Sequence, residues 1–166
     1  MNSTIAYQNL SQSKKDALFV LSQKLQIPVE WISNVIYLES RFNPSVINSI
    51  GATGLIQFLP DKGKITKLMN GKHYVVRDIA KLSFESQCIL IYEYYKPFIG
   101  KIKSQLDAYI CTFYPAVLGK SLDTKIGGLI VAQQNPLFNK SKDNQITISD
   151  VNDYLNSQFP NIKKKI

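Results

Sequence analysis

Residues 35–60 read VIYLESRFNPSVINSIGATGLIQFLP, and the pattern changes within this stretch from helical to loop-like. A helix is predicted to begin at Pro28, since the missing N–H of proline is tolerated in a first helical turn. Four residues then follow the i, i+3, i+4, i+7 spacing of one helix face: Ile32, Val35, Ile36 and Glu39. Glu39 therefore ends an apolar stripe near the helix C-terminus, just before the turn-forming pair Asn43-Pro44.

Glu39 occupies a position that disfavours a carboxylate. Burial beside apolar side chains penalises the charged form, and so does the negative end of the helix dipole. We expect such a group to hold its proton unusually late in a titration, which is what a general acid needs. Helix edges also carry glutamates that have no catalytic role, so this assignment needs support from other residues.

The run GATGLIQF, residues 51–58, predicts a turn that suits ligand binding. Gly51 and Gly54 allow a backbone to come close to a ligand, because no side chain blocks the approach. Gln57 offers an amide donor and acceptor that fit sugar hydroxyls and N-acetyl groups. Tyr114, at the end of a later predicted helix, can aim a phenol at a buried carboxyl group. Each of these features alone is common in proteins.

As an ordered set, these residues closely resemble the lytic transglycosylases, the group that includes the soluble lytic transglycosylases and goose-type lysozymes. The resemblance is close over residues 29–60 and looser to about residue 119. It implies a mainly α, lysozyme-like single domain that acts on peptidoglycan glycan strands without a cofactor. Glu39 matches the catalytic acid/base. The implied substrate-binding residues are Ser40, Thr53, Gly54, Gln57, Phe58 and Tyr114.

The segment Thr112-Phe113-Tyr114-Pro115-Ala116 resembles the Ala-Tyr-Asn segment of this family, whose tyrosine contacts the catalytic glutamate. The chain departs from the family here, since Pro115 replaces the asparagine. Phage-encoded members look similar, with a Phe-Tyr-Pro-Ala run. The resemblance therefore implies a phage enzyme that is carried in the virion, beside other virion proteins, or is released at lysis to act on the bacterial wall.

The number of carboxylates near Glu39 bears on mechanism. Enzymes that hydrolyse the glycosidic bonds of peptidoglycan usually use two carboxyl groups, an acid plus a nucleophile or base. No Asp or Glu lies between Glu39 and Gln57, and the nearest downstream acids are Asp61, Asp78 and Glu85. The mechanism that the resemblance implies needs only one carboxyl group. It protonates the oxygen that bridges N-acetylmuramic acid and N-acetylglucosamine, and then, as a base, activates the muramyl C6 hydroxyl, which closes a 1,6-anhydro ring. Two alternatives stay open: an inverting muramidase with Asp61 or another acid as base, and an inactive structural virion protein.

Charge and composition indicate which classes of partner the protein binds. The chain has 166 residues, 45% of them hydrophobic, and a net charge of +8, which is typical of one soluble domain with an anionic partner such as a cell wall. Lysines cluster at 61–72 and in the tail 162–166. Neither run alternates with aromatic residues as single-strand binding surfaces do. A basic DNA-binding module would leave the placement of Glu39 unexplained, so no nucleic-acid partner is expected.

The two cysteines and the single histidine predict no metal site. Cys88 and Cys111 fall in apolar helical segments and are expected to be buried free thiols, while His73 reads as a loop residue. A Cys–His nucleophile pair is the less favoured alternative. The N-terminus lacks the apolar region of a secretory signal, and no run reaches the ~20 apolar residues of a membrane helix.

The C-terminal part of the chain, from about residue 120, is predicted to extend the single domain of residues 1–166. Residues 139–150 have the length of an EF-hand loop, but their sequence is a degraded version of one. Calcium would use Asn139, Ser141, Asp143 and Asp150. Because only two of these are acids, the predicted role is a structural turn that caps the last helix, with no metal.

Five further helical segments are predicted from periodicity and caps: 13–25, 55–59, 84–96, 102–114 and 149–158. Ser13 is the expected cap of the first segment, Ser83 of the third, and Ser149 or Asp150 of the last. Residues 43–54 are predicted to be loop, and Tyr74-Val75-Val76 to be extended.

Overall fold

A computed structural model describes residues 3–160, so the lysine-rich tail predicted at 162–166 lies outside the described residues. The backbone divides into two compact units, Met1–Ala108 and Tyr109–Ile166. The described elements in chain order are α1 (Ser3–Gln8), α2 (Gln12–Leu25), α3 (Val29–Ser40), β1 (Thr66–Met69), β2 (Lys72–Val75), α4 (Phe84–Tyr95), α5 (Gln105–Phe113), β3 (Lys125–Ile126), α6 (Leu129–Gln134), β4 (Ile146–Thr147) and α7 (Ile148–Gln158). The mainly α-helical class is confirmed. The prediction of one catalytic domain with an extension from about residue 120 stays a prediction.

The core of the first unit is built where α2 packs against α3 and α4. One face of α2 is buried, since Leu18, Leu21 and Leu25 are at most 2% exposed. The predicted cap is wrong: α2 begins at Gln12 with Ser11 in the cap position. The Ser13 hydroxyl instead donates to Glu85 Oε1 at 2.9 Å. The short helix α1 was not predicted from the sequence.

α4 follows the sequence closely. Ser83 Oγ accepts the N–H of Ser86 at 3.1 Å, which confirms it as the cap. The helix buries one apolar face, with Phe84 at 2% and Tyr95 at 0% exposure. Tyr95 also donates its hydroxyl to the carbonyl of Ala108 at 2.8 Å. The buried phenol is thereby satisfied, so α4 can face the core along its whole length.

The helix predicted over 55–59 is wrong, because these residues form a turn. Gly54 and Gln57 have φ of +78° and +54°, which a right-handed helix cannot accommodate. Thr53 and Phe58 exchange two backbone hydrogen bonds, of 3.0 and 2.9 Å, across the turn. A short apolar run is therefore held as a turn by two left-handed residues and by the paired backbones of Thr53 and Phe58.

A hairpin follows the turn. β1 and β2 pair antiparallel with Met69 opposite Lys72. The extended structure predicted at Tyr74-Val75-Val76 is confirmed for Tyr74 and Val75 and wrong for Val76, and the strand begins earlier than expected, at Lys72. Met69 is 3% exposed and faces inward. A 3₁₀ helix, Val76–Lys81, continues from β2.

α5 begins at Gln105, later than predicted, and ends at Phe113 as the following Pro115 requires. Proline at 115 disfavours a helical conformation at Tyr114, which has φ −155° and ψ 75°. Within the second unit, β3 and β4 pair through Ile126 and Ile146, which are 1% and 0% exposed. No helix in residues 3–160 combines the length and apolar character needed to cross a membrane.

α7 begins earlier than predicted, and its cap is Thr147 rather than Ser149 or Asp150. Thr147 Oγ1 accepts the N–H of Asp150 at 3.3 Å, and Asp150 Oδ2 accepts the N–H of Thr147 at 2.8 Å. This reciprocal pair is a capping box, which satisfies two backbone donors that the helix itself leaves unpaired.

Removing this cap should destabilise the protein. We expect Thr147→Ala to lower the free energy of unfolding by about 0.5–2 kcal/mol, the usual cost of losing a threonine cap. Ser149→Ala, two residues further along the chain, should change the free energy of unfolding by less than about 0.5 kcal/mol. Urea unfolding of the two variants compares them directly, and equal losses would contradict the role given to Thr147.

Candidate active site

Glu39 is the penultimate residue of α3, at the end of a stripe that is confirmed as buried. Ile32, Val35 and Ile36 are all 0% exposed, whereas Glu39 is half-buried. Arg41 caps the helix with φ +53° and donates its N–H to the carbonyl of Tyr37 at 3.0 Å. Glu39 therefore lies in the last turn of the helix, at the negative end of its dipole. Its late titration stays a prediction.

Ser40 is 6% exposed, and its hydroxyl donates to the Ile36 carbonyl at 3.0 Å. A serine bonded in this way serves the last turn of its own helix. Its oxygen retains lone pairs that can accept a hydrogen bond. The assignment of Ser40 to substrate binding stays a prediction.

The loop after α3 is ordered by asparagine side chains. Asn43 Oδ1 accepts the N–H of Ser45 at 2.9 Å. Asn48 Oδ1 accepts the N–H groups of Ile50 and Ala52 at 3.0 and 2.9 Å. Such bonds imitate backbone turns. The predicted loop is thus present, and its path is fixed by local side chains.

The turn at 51–58 is joined to this loop. Gly54 donates its N–H to the carbonyl of Val46 at 2.8 Å, and Ile47 forms a β-bridge with Thr53. Gln57 Nε2 donates to the Gly54 carbonyl at 3.0 Å and makes a longer 3.5 Å contact with the Val46 carbonyl. The structure therefore brings Gln57 against the segment that follows Glu39 by only a few residues.

Thr53 and Phe58 are buried members of the turn. Thr53 is 0% exposed, and its hydroxyl donates to the Gly51 carbonyl at 3.0 Å. Phe58 is 2% exposed and meets the Tyr94 ring edge-on, with centroids 6.0 Å apart. Both side chains hold the shape of the turn. Their assignment to substrate binding, like that of Gly54 and Gln57, stays a prediction.

Tyr114 belongs to the second unit. Its N–H donates to the Ile110 carbonyl at 2.9 Å, so it closes the last turn of α5. Its side chain is half-buried. The contact with Glu39 that the resemblance implies stays a prediction.

The three acids nearest downstream of Glu39 all have other partners. Asp61 Oδ2 accepts the N–H of Leu68 at 2.8 Å in the β-hairpin. Asp78 Oδ1 accepts a bond from Lys81 at 2.7 Å. Glu85 lies in the first turn of α4, where a hydrogen bond from its own backbone N–H lowers the carboxyl pKa, helped by the Ser13 hydroxyl. Each of these three carboxyl groups thus accepts a hydrogen bond from within the protein.

Gln87 is a buried polar residue that was not predicted from the sequence to belong to the site. It is 0% exposed on α4, and Nε2 donates to the carbonyls of Pro44 and Ile79 at 2.7 and 2.8 Å. Oε1 accepts the N–H of Leu55 at 2.9 Å. The available signal was a polar residue three positions after Phe84 on the apolar face of α4, where a side chain without partners would be costly.

The cysteines are buried free thiols, as predicted. Desolvation raises the pKa of the Cys88 thiol to about 12, with a smaller contribution from the charge of Glu85. A nucleophilic cysteine needs the opposite shift. His73 was predicted to be a loop residue, which is wrong, since it lies exposed on β2. The Cys88 thiol is therefore unsuited to a Cys–His nucleophile pair.

The thiol shift has a measurable consequence. Since the pKa rises from 9.0 to about 12, the thiolate fraction of native Cys88 at pH 8 is about 10³-fold below that of an ordinary cysteine. We expect iodoacetamide to modify Cys88 only after unfolding, as read by peptide mass mapping. Because the thiol pKa is higher in the folded state, ionisation of Cys88 favours the unfolded state. The contribution of the neutral thiol to the free energy of unfolding is therefore complete below pH 9 and is lost as the pH rises toward 12. Rapid native labelling would contradict the burial.

The loop at 139–150 uses its acids for local bonds. Asp150 is engaged in the cap of α7. A hydrogen bond from Ser141 is the main cause that lowers the pKa of Asp143. Asn139 Oδ1 is buried without a hydrogen-bond partner among residues 3–160. Within that range, no three His, Cys, Asp or Glu side chains are grouped to hold a metal ion. The capping role predicted for the loop agrees with the bonds of Asp150.

The fold and the candidate site agree with a family assignment. Residues 16–112, more than half of the chain, match the family described as Transglycosylase SLT domain. The chain therefore belongs to this family of lytic transglycosylases, which are enzymes with a lysozyme-like fold that act on peptidoglycan. No curated protein and no solved structure matches the chain significantly. The matched residues include Glu39, Gln57 and Gln87, and they end before Tyr114.

Proposed function

We propose that this lytic transglycosylase cleaves the β-1,4 bond between N-acetylmuramic acid and N-acetylglucosamine without water, using Glu39 as its only catalytic carboxyl group. The observation that carries the proposal is the setting of Glu39. It is half-buried at the C-terminal end of α3, and the three nearest downstream acids have structural partners. A one-carboxylate mechanism fits this arrangement better than a mechanism with two.

In the proposed mechanism, protonated Glu39 donates its proton to the oxygen that bridges the two sugars. The bond between that oxygen and C1 of the muramyl residue breaks, and the N-acetylglucosamine part leaves with a free hydroxyl. The muramyl N-acetyl group stabilises the positive charge that develops at C1. The Glu39 carboxylate then removes the proton of the C6 hydroxyl, whose oxygen bonds to C1. Glu39 regains its proton, and a 1,6-anhydro ring forms without any cofactor.

The turn at 51–58 is proposed to hold the glycan beside Glu39. Gln57 uses its amide nitrogen within the protein, and its Oε1 makes no hydrogen bond within residues 3–160. That oxygen can accept a bond from a sugar hydroxyl or an N-acetyl N–H. Ser40, Thr53, Gly54 and Phe58 are proposed to contribute to binding of the same glycan.

Product analysis tests the reaction type. Digestion of purified sacculi, followed by mass spectrometry of soluble muropeptides, should give anhydro-muramyl ends, which are lighter by one water than hydrolytic products. Reducing muramyl ends would contradict the proposal and favour an inverting muramidase with Asp61 or another acid as base. No release at any pH or salt concentration would instead favour the inactive structural virion protein, for which Pro115 is the supporting feature.

We also propose that the enzyme is phage-encoded and reaches the wall either within the virion or at lysis. The support is the run Phe113-Tyr114-Pro115-Ala116, which resembles that of phage-encoded members. The net charge of +8 favours contact with an anionic wall. Immunoblotting of purified virions against lysates of infected cells tests this, since absence of the protein from both would contradict it.

A further inference from the structure

Gln87 connects the two loops that frame the proposed site. Its Nε2 group donates to Pro44, which follows Glu39 by five residues, and its Oε1 accepts from Leu55, which precedes Gln57 by two. The second N–H reaches Ile79, at the end of the segment that follows the β-hairpin. One side chain of α4 thus bonds three separate pieces of backbone.

Only an amide of this length meets these requirements. The site needs two N–H donors for carbonyl oxygens and one acceptor for a backbone N–H. Glutamate lacks the donors when ionised, methionine lacks both functions, and asparagine is shorter by one methylene. Because Gln87 is 0% exposed, water cannot replace a lost partner.

The turn is built to fit this amide closely. A Cβ atom placed on Gly54 would lie 2.5 Å from Gln87 Oε1 and 3.2 Å from its Cδ. The amide therefore lies directly against the backbone of Gly54, which itself donates to Val46 in the loop after α3. A shift of Gln87 would move the turn and the loop relative to each other.

We propose that Gln87 is a positioning residue of the transglycosylase reaction, which sets the distance between the loop that follows Glu39 and the turn that carries Gln57. This inference rests on the function proposed above. Reacting groups lose about 10²-fold in rate for a misplacement near 1 Å, even when the change lies away from the chemistry. Loss of the Gln87 amide should therefore lower kcat, while ground-state binding of the glycan changes little.

The test is Gln87→Met, which keeps the length of the side chain and removes the amide. On soluble peptidoglycan oligomers that carry no 1,6-anhydro end, we expect the kcat of Gln87→Met to fall by about 10²-fold and its KM to change by less than about threefold. Binding of the same oligomers in a Glu39→Gln background should likewise be unchanged within that range. Gln87→Asn retains the amide at shorter reach and should recover part of kcat.

A second buried glutamine provides the control. Gln105 is 8% exposed, accepts from Asn34 Nδ2 and donates to the Trp31 carbonyl, both at 3.1 Å. Gln105→Met removes a comparable buried amide whose partners lie on α3 well before Glu39. It should lose a similar amount of stability and keep kcat within about threefold, when each variant is assayed at the same interval below its own melting temperature.

Two results would overturn the inference. One is a kcat for Gln87→Met within threefold of the wild type, and the other is an equal kcat loss in Gln105→Met. If Gln87→Met does not fold, the comparison passes to Gln87→Asn, and wild-type kcat in that variant would overturn it. Failure of the proposed function shows separately, as full activity of Glu39→Gln in the same assay.

Discussion

Glu39→Gln should lower the rate of glycan cleavage by about 10³-fold or more and leave a protein that is no less stable than the wild type. Loss of a general acid alone costs about 10²–10⁴-fold, and here the same group is also the base. The expected stability of Glu39→Gln follows from the position of residue 39 in the helix. At a pH where Glu39 is ionised, a negative charge in the last turn of a helix is unfavourable, so removing it should raise the free energy of unfolding by about 0.3–1 kcal/mol.

Glu30 provides a matched control on the same helix. It lies exposed in the first turn of α3, where a negative charge interacts favourably with the helix dipole. Glu30→Gln should retain full activity and lose about 0.3–1 kcal/mol of stability, the opposite sign to Glu39→Gln. Release of soluble muropeptides and thermal unfolding measure both quantities. More than a tenth of wild-type activity in Glu39→Gln would exclude the assignment of Glu39.

Gly54→Ala is the second change with a large expected effect. Gly54 has φ +78°, and a Cβ atom there would lie 2.5 Å from Gln87 Oε1 and 3.3 Å from Ile79 Cγ2. The left-handed backbone costs a non-glycine residue about 1–2 kcal/mol, and forced overpacking adds about 1–3 kcal/mol. We expect a total loss of about 2–5 kcal/mol from these two causes. Cleavage activity should fall with it, because the turn that carries Gln57 must move.

Gly51→Ala separates the two causes. Gly51 has φ +84°, but a Cβ atom there meets nothing within 4 Å. This variant should therefore lose only the backbone part, about 1–2 kcal/mol, and retain most activity. Urea unfolding and a cleavage assay on both variants give the comparison. Equal losses of stability would mean that the close packing of Gln87 against Gly54 has no energetic role.

The parts of the site that could be predicted from sequence are those with a local cause. The apolar stripe of α3 depends on residues three and four positions apart, so periodicity placed Glu39 at its end correctly. Ser83 caps α4 through a bond to Ser86 three residues on. Pro115 ends α5 because its ring acts on the residue before it.

The failed predictions have causes that lie far along the chain. Residues 55–59 look helical, yet the left-handed Gly54 and Gln57 and the bond from Leu55 to Gln87, 32 residues away, make them a turn. Ser13 looks like a cap, but its hydroxyl finds Glu85 on another helix. Local propensity is a weak preference that such tertiary contacts override.

The sequence by itself determined the helical class, the place of Glu39 and the resemblance to lytic transglycosylases, because each depends on residue type and on spacing within a few turns. The tertiary structure alone decided how the Asn43-Pro44 loop and the Gln57 turn are joined, and that Glu85 pairs with Ser13 on another helix. The physical reason is that a buried amide such as Gln87 must find its donors and acceptors wherever folding brings them.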